Sequence, residues 1–97
     1  MVNKDVGKNK LKNYIKAIGY YEKAGLWDRC IQLADTTGNY LKVAEIYKTK
    51  KKDYQKAIEY YEKAAVWDEC IDLYSFMREY EKVAQIYETK KKDYEKA

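Results

Sequence analysis

A forty-residue internal repeat is the feature of this sequence that most restricts its fold. Shifting the chain by 40 positions aligns residues 14–53 with residues 54–93, and about 25 of the 40 aligned pairs are identical. A third copy begins at Tyr94 and covers residues 94–97. A repeat of this length is typical of solenoids, in which each unit packs only on its neighbours. We therefore expect residues 1–97 to form one repeat domain with two copies and a truncated third.

Hydrophobic periodicity predicts that each copy is helical. The apolar residues recur at i, i+3, i+4 and i+7, as Tyr54, Ala57, Ile58 and Tyr61 do, which is the stripe of an amphipathic helix. Proline is absent, which removes the strongest helix breaker. Three stripes fit each copy, and they predict helices near 14–24, 27–36, 40–50, 54–64, 67–77 and 80–90, with a stub at 94–97. The expected fold class is all-α.

Most boundaries between these helices carry helix-ending residues. Gly25 and Gly38 lie at two of them, where glycine can adopt the left-handed conformation that ends a helix. At the third boundary, the lysines at 50–52 suit the negative end of a helix dipole, and Asp53 is a good cap for the next helix. The boundary at Ala65 has no breaker, so the helices on its two sides either separate there or fuse into one.

The spacing of aromatic and small residues resembles that of tetratricopeptide repeats. The stripe Tyr54, Ala57, Tyr61 and Ala64 is similar to the second helix of that repeat, and the stripe Tyr40, Val43, Ala44 and Tyr47 is similar to the first. Phrases such as KAIEYYEKA and EKVAQIYETKKKDYEKA are of the same type, and similar phrases occur in the soluble NSF attachment proteins and in intraflagellar-transport solenoids. The resemblance implies short antiparallel helices in a right-handed, tetratricopeptide-like α-solenoid, and a protein-binding scaffold as its function.

The repeat length departs from the standard tetratricopeptide unit. That unit has about 34 residues and two helices, whereas this repeat has 40 residues and three predicted helices. By length alone the HEAT and armadillo class fits better, but the residue identities favour the tetratricopeptide-like class. An odd number of helices per copy exchanges the inner and outer layers between copies, so the sequence leaves open which helices form the concave face.

Composition excludes several classes of protein. There is no long apolar run and no secretory signal, so we expect a cytoplasmic protein without a membrane span. The chain contains no histidine, no glycine-rich phosphate loop and no nucleophile motif, so we expect neither an enzyme nor a metal or cofactor site. The formal charge of +4 comes from 20 basic and 16 acidic residues, which is unlike a nucleic-acid binder.

The two cysteines are predicted to fill the core. Cys30 and Cys70 occupy equivalent positions of successive copies, three helices apart. At about 9 Å per helix contact they lie beyond the ~7 Å that a disulfide allows between Cα atoms. We expect both to be buried, reduced and unlinked.

A polar face on the two tryptophan-initiated helices is the candidate site for a protein or peptide partner. Its residues are Asp28, Gln32 and Asp35 in the first copy, and Asp68, Asp72 and Ser75 in the second, with Phe76 beside them as an aromatic contact. If this face is concave, it favours a basic or hydrogen-bonding peptide. The alternative is an ordinary solvated helix face. Tyr20 and Tyr60 also lie beside the stripes and are further candidates for exposed contacts.

The C-terminal end of the stack is the candidate site for self-association. The apolar stripe of the last full helix is wide enough for a further neighbour on its outer side. The candidate residues for this contact are Val83, Ile86, Tyr87 and Tyr94. We expect a homo-oligomer through this open end. Two further alternatives remain, a purely structural or designed repeat module and a basic repeat that binds RNA through the lysines at 50–52 and 90–92.

Overall fold

The computed structural model describes residues 4–91, with side chains from Asn9 onward, and this part of the chain is helical without a β-strand. Its elements are α1 (Lys4–Ala24), α2 (Trp27–Thr36), α3 (Tyr40–Ile46), a π-helical turn (Tyr47–Lys51), α4 (Tyr54–Lys63), α5 (Trp67–Phe76) and α6 (Tyr80–Thr89). The all-α fold predicted from the repeat is confirmed. The predicted stub at 94–97 lies outside the described residues.

Helix α1 is longer than the periodicity indicates. It begins at Lys4, so the predicted start near residue 14 is wrong. The segment before Tyr14 has no proline and four lysines, which are good helix formers, so nothing in it stops the helix. The predicted cap at Asp53 is confirmed, since its side chain accepts a hydrogen bond from the Lys56 amide at 3.1 Å.

The boundary at Ala65 separates two helices. Ala65 adopts the left-handed conformation, with φ of 58°, as Gly25 does at the equivalent position with φ of 72°. The Ala65 amide donates to the Glu62 carbonyl at 3.0 Å, and the Val66 amide donates to the Tyr61 carbonyl at 2.9 Å. This is the hydrogen-bond pattern of a Schellman C-cap. The helix therefore ends without a glycine, and α4 and α5 do not fuse.

The core runs along the stack because each helix packs on the next one in sequence. One buried cluster joins α1, α2 and α3 through Ile18, Cys30, Ala34, Val43 and Ile46. The second joins α3 to α6 through Ala44, Ala57, Ile58, Tyr61, Cys70, Leu73, Tyr74 and Ile86. The molecule measures 49 × 32 × 17 Å, and its shortest dimension corresponds to about two layers of helices.

Ion pairs join alternate helices of the stack into one layer. Lys42 of α3 pairs with Glu22 of α1 at 3.0 Å, and Lys48, which follows α3, pairs with Glu69 of α5 at 2.9 Å. Helices α1, α3 and α5 therefore lie side by side. Because the 40-residue shift maps α1 onto α4, equivalent helices of the two copies lie in opposite layers.

Candidate protein-interaction surfaces

Two grooves occupy equivalent positions in the two copies. The first groove is lined by Glu22, Trp27, Lys42, Glu45, Ile46, Lys48, Thr49, Lys50, Tyr61 and Glu69, and has a volume of about 340 Å³. The second groove is lined by Glu62, Trp67, Tyr74, Lys82, Gln85, Ile86, Thr89 and Lys90, and has a volume of about 200 Å³. Most of these residues correspond after the 40-residue shift, so the groove is a property of the repeat.

The first groove has an apolar base and a charged rim. Ile46 and Tyr61 are almost fully buried and form its base, while the half-buried ring of Trp27 forms one wall. The Lys50 ammonium lies 4.9 Å from the centre of that ring, within range of a cation–π contact. An apolar base within a polar rim is the usual anatomy of a protein interface.

Charge on the rim of the first groove is largely paired. The pairs Glu22–Lys42 and Lys48–Glu69 both lie on it. The hydrogen bond that the Lys48 ammonium donates to Glu69 raises the pKa of Lys48, so that lysine stays charged. Glu45 also lines the groove, is exposed, and forms no ion pair within the described part of the chain. Among the described residues that line the groove, Glu45 is therefore the carboxylate, and Lys50 the lysine, without an ion-pair partner.

The second groove is narrowed by Tyr74, which replaces Ala34 of the first copy. The Tyr74 hydroxyl donates to Glu62 at 3.2 Å, and the Lys82 ammonium lies 5.9 Å from the Tyr74 ring centre. Burial, together with the charge of Glu62, raises the pKa of Tyr74 to about 12. The phenol thus remains a neutral hydrogen-bond donor. In the first copy Lys42 pairs directly with Glu22, whereas in the second copy the equivalent Lys82 and Glu62 contact the ring and the hydroxyl of Tyr74.

The lysine runs pack against the tryptophan-initiated helices of their own copies. Lys50 lies over Trp27, and Lys51 pairs with Asp28 at 2.6 Å. In the second copy, Lys90 lies over Trp67 at 5.2 Å from the ring centre. Lys91 likewise pairs with Asp68. These lysines therefore have intramolecular partners, which argues against a free phosphate-binding surface.

The predicted partner-binding residues do not form one surface. Helices α2 and α5 carry these residues, and α3 and α4 lie between them in the packing order. Asp28, Gln32, Asp35, Asp68 and Asp72 are exposed, Ser75 is half-buried, and Phe76 is exposed. The Phe76 ring also contacts the Tyr54 ring edge-on, with ring centres 5.5 Å apart. Each copy therefore presents its own polar face.

The predicted self-association residues divide between two sides of α6. Ile86 belongs to the buried cluster, and Val83 packs on the same cluster, so both are part of the internal core. Tyr87 is exposed, together with Tyr80 and Ala84, and Tyr94 lies outside the described residues. The periodicity marks the whole stripe as apolar, but only the half that carries Val83 and Ile86 faces α5.

Both cysteines are buried and free of disulfides, as expected from their positions in the repeat. Burial raises the pKa of Cys30, and burial with the charges of Glu62 and Glu69 raises the pKa of Cys70 to about 12. Neither thiol is ionised at neutral pH, which makes them poor nucleophiles.

Sequence reasoning missed the grooves because their ion pairs join residues 20 or more positions apart. The charges at 22, 42, 48 and 69 look like solvated helix faces when each helix is considered separately. The recurrence of Glu, Trp, Lys and Thr after 40 positions was the available signal.

A two-layer stack of short helices, each packed on the next in sequence, defines a tetratricopeptide-like α-solenoid, a class of helical repeat scaffolds. The chain belongs to the family described as soluble NSF attachment protein, SNAP, whose family model matches residues 4–76. No curated protein and no solved structure matched the chain. Within residues 4–91, none of the helices is long and apolar enough to cross a membrane.

Proposed function

We propose that this protein is a cytoplasmic, non-enzymatic scaffold that binds a peptide or a partner helix in the first groove. The observation that carries the proposal is the apolar base formed by Ile46 and Tyr61, which opens to solvent between charged rims. Family membership supports the same function, because the family is one of helical protein-interaction scaffolds.

The chemistry of the groove selects the partner. Its base favours an apolar side chain of the partner as an anchor, with the Trp27 ring as a flat contact. The paired rim charges of Lys42 and Lys48 offer little to a strongly acidic ligand. The unpaired Glu45 favours a basic residue beside the anchor. We therefore propose a peptide or helix with an apolar residue next to a lysine or arginine.

The outer face of α2 is the competing surface. Asp35 and Gln32 are exposed there, whereas Asp28 is already paired with Lys51. The residues that define this face are polar, whereas the groove has the apolar base of Ile46 and Tyr61, so the face supports weaker recognition.

A peptide-library selection against the full chain tests the proposal, followed by affinity measurement for the selected peptides. Replacing Glu45 by Arg should weaken binding by about ten-fold or more, because it removes the unpaired charge and adds a bulky cation. Replacing Gln32 by Arg is the matched control, since it places the same charge on the outer face of α2. Loss of binding on Gln32→Arg but not on Glu45→Arg would assign the site to α2.

Self-association through the C-terminal end is the second candidate function. Tyr80 and Tyr87 are exposed on the outer side of α6, with Ala84 between them. An exposed row of this kind is a typical interaction surface. RNA binding is the weakest candidate, because Lys50, Lys51 and Lys90 already have intramolecular partners.

A further inference from the structure

Among the described residues, the outer side of α6 is exposed, whereas the equivalent side of α3 is covered inside the stack. Tyr40, Ala44 and Tyr47 lie on the side of α3 and the following turn that faces α4, and Ala44 is 0 % exposed. Their equivalents after the 40-residue shift are Tyr80, Ala84 and Tyr87. Tyr80 is 64 % exposed, Tyr87 is 44 % exposed, and Ala84 is also exposed. The repeat therefore shows which kind of helix fits this side of α6.

Helix α4 supplies an aromatic and cationic pair to that surface. The Tyr60 ring lies 6.0 Å from the Tyr40 ring and 5.9 Å from the Tyr47 ring, measured between ring centres. The Lys63 ammonium lies 5.5 Å from the centre of the Tyr40 ring and 4.6 Å from that of Tyr60. A helix that covers α6 in the same way therefore needs a tyrosine and a lysine three residues apart beside small residues.

Helix α1 presents that pair, and it is uncovered. The sequence YYEKA occurs at 20–24 and at 60–64, so Tyr20 and Lys23 are equivalent to Tyr60 and Lys63. Tyr20 is 69 % exposed, and the Lys23 ammonium lies 5.2 Å from its ring centre. The two halves of the internal interface are thus both exposed, one on α6 and the other on α1.

Charge supports the same pairing. Inside the stack, Lys48, which follows α3, pairs with Glu69 of α5, the helix after α4. The equivalents of these residues at a junction between two chains are Glu88 of one copy and Arg29 of the next. Both signs are reversed, so an attractive pair is retained. Glu88 and Arg29 are exposed, and neither forms an ion pair within residues 4–91.

We propose that copies of this chain associate head to tail, with α6 of one copy packed on α1 of the next as α3 packs on α4. This inference rests on the proposed self-association through α6, and it adds the partner surface and the geometry. Because the two contacting surfaces differ, each added copy leaves one of each exposed. The assembly is then an open chain whose length grows with concentration.

Sedimentation of two blocked variants tests the geometry. Ala84→Arg places a cation where the equivalent Ala44 is completely covered, and Tyr20→Asp removes the aromatic contact on α1. Each variant alone should be monomeric, with its dissociation constant raised at least ten-fold. An equimolar mixture should form a one-to-one dimer, because the first variant retains its α1 surface and the second retains α6. Circular dichroism of each variant should match the unmodified chain.

Gln85→Arg is the matched control for Ala84→Arg. Gln85 is the next residue of α6 and is exposed. Its equivalent Glu45 is also exposed, even though α4 covers Ala44 beside it, so Gln85→Arg should still associate. Association that is lost on Ala84→Arg but unaffected by Tyr20→Asp would indicate a symmetric dimer through α6. Self-association would then stand and the head-to-tail geometry would be overturned. A monomer at all concentrations of the unmodified chain would overturn both, without bearing on peptide binding in the groove.

Exchange of the two charges gives an independent test. Glu88→Arg alone and Arg29→Glu alone should each weaken association by about three-fold or more, because two like charges then meet at the junction. The mixture of the two variants should recover the original affinity, since every junction again joins opposite charges. Unchanged association in both single variants would overturn the proposed pairing of Glu88 with Arg29.

Discussion

At the scale of single residues, the two tryptophans connect the core to the grooves. Trp67 packs on the buried cluster of α3 to α6 with one face near Lys90, and it also lines the second groove. Trp27 has the same role in the first copy. An indole in this position supports the fold and remains available at one edge for a ligand.

Replacing Trp67 by Ala should lower the free energy of unfolding by about 2–4 kcal/mol, less than for a fully enclosed tryptophan because the ring is only partly buried. Phe76→Ala, in the same helix but exposed, should cost about 1 kcal/mol or less. Urea denaturation of both variants measures the difference. Equal losses would mean that Trp67 contributes no more to the core than a surface aromatic.

Ionisation of Cys70 should limit stability at alkaline pH. Burial raises the pKa of this thiol from 9.0 to about 12, so the unfolded chain loses the proton first as pH rises. The stability that the buried, neutral Cys70 thiol contributes is fully present below about pH 9 and is lost as pH rises towards 12. Tyr74 acts in the same direction, because its pKa is raised from 10.0 to about 12. The free energy of unfolding should therefore fall with increasing pH in this range.

Cys70→Ala should make the free energy of unfolding fall less steeply between pH 9 and pH 10. Denaturant titrations at several pH values can measure this slope. A slope that is the same in both proteins would contradict the raised pKa. In the native protein at neutral pH, a small thiol reagent should also label Cys30 and Cys70 far more slowly than in denaturant.

At the scale of elements, the helix boundaries of the two copies use different residues for the same backbone conformation. Gly25 and Ala65 are equivalent and both have positive φ, and so are Gly38 and Arg78, with φ of 76° and 62°. The backbone hydrogen bonds that end α4 and α5 hold Ala65 and Arg78 in a conformation that glycine adopts without strain.

Ala65→Gly should therefore stabilise the protein by about 0.5–1 kcal/mol, despite the greater freedom of glycine in the unfolded chain. Gly25→Ala should destabilise it by a similar amount through backbone strain alone, because an added Cβ meets nothing within 4 Å. Gly19→Ala is the control, since Gly19 lies inside α1 and the change should stabilise the helix. Thermal unfolding of the three variants checks all three signs.

At the scale of the whole molecule, the three-helix repeat produces an alternating stack. Helices of about ten residues are marginal alone, so each depends on the neighbours it packs on. The same operation that places α4 on α3 would place α1 of another copy on α6. Residues from α1 to α5 line the first groove, so it can exist only when these consecutive helices are assembled.

Local sequence patterns were enough to predict the helical class, the repeat, most helix boundaries and the burial of both cysteines. These depend on local periodicity and on positions such as Gly25 and Asp53, whose effects extend over only a few residues. Long-range packing decided that Val83 and Ile86 face inward while Tyr80 and Tyr87 face outward. It also decided that the lysine runs pack on Trp27 and Trp67. An apolar stripe indicates that a helix packs on neighbours. Which neighbour covers each half of the stripe depends on residues distant in sequence.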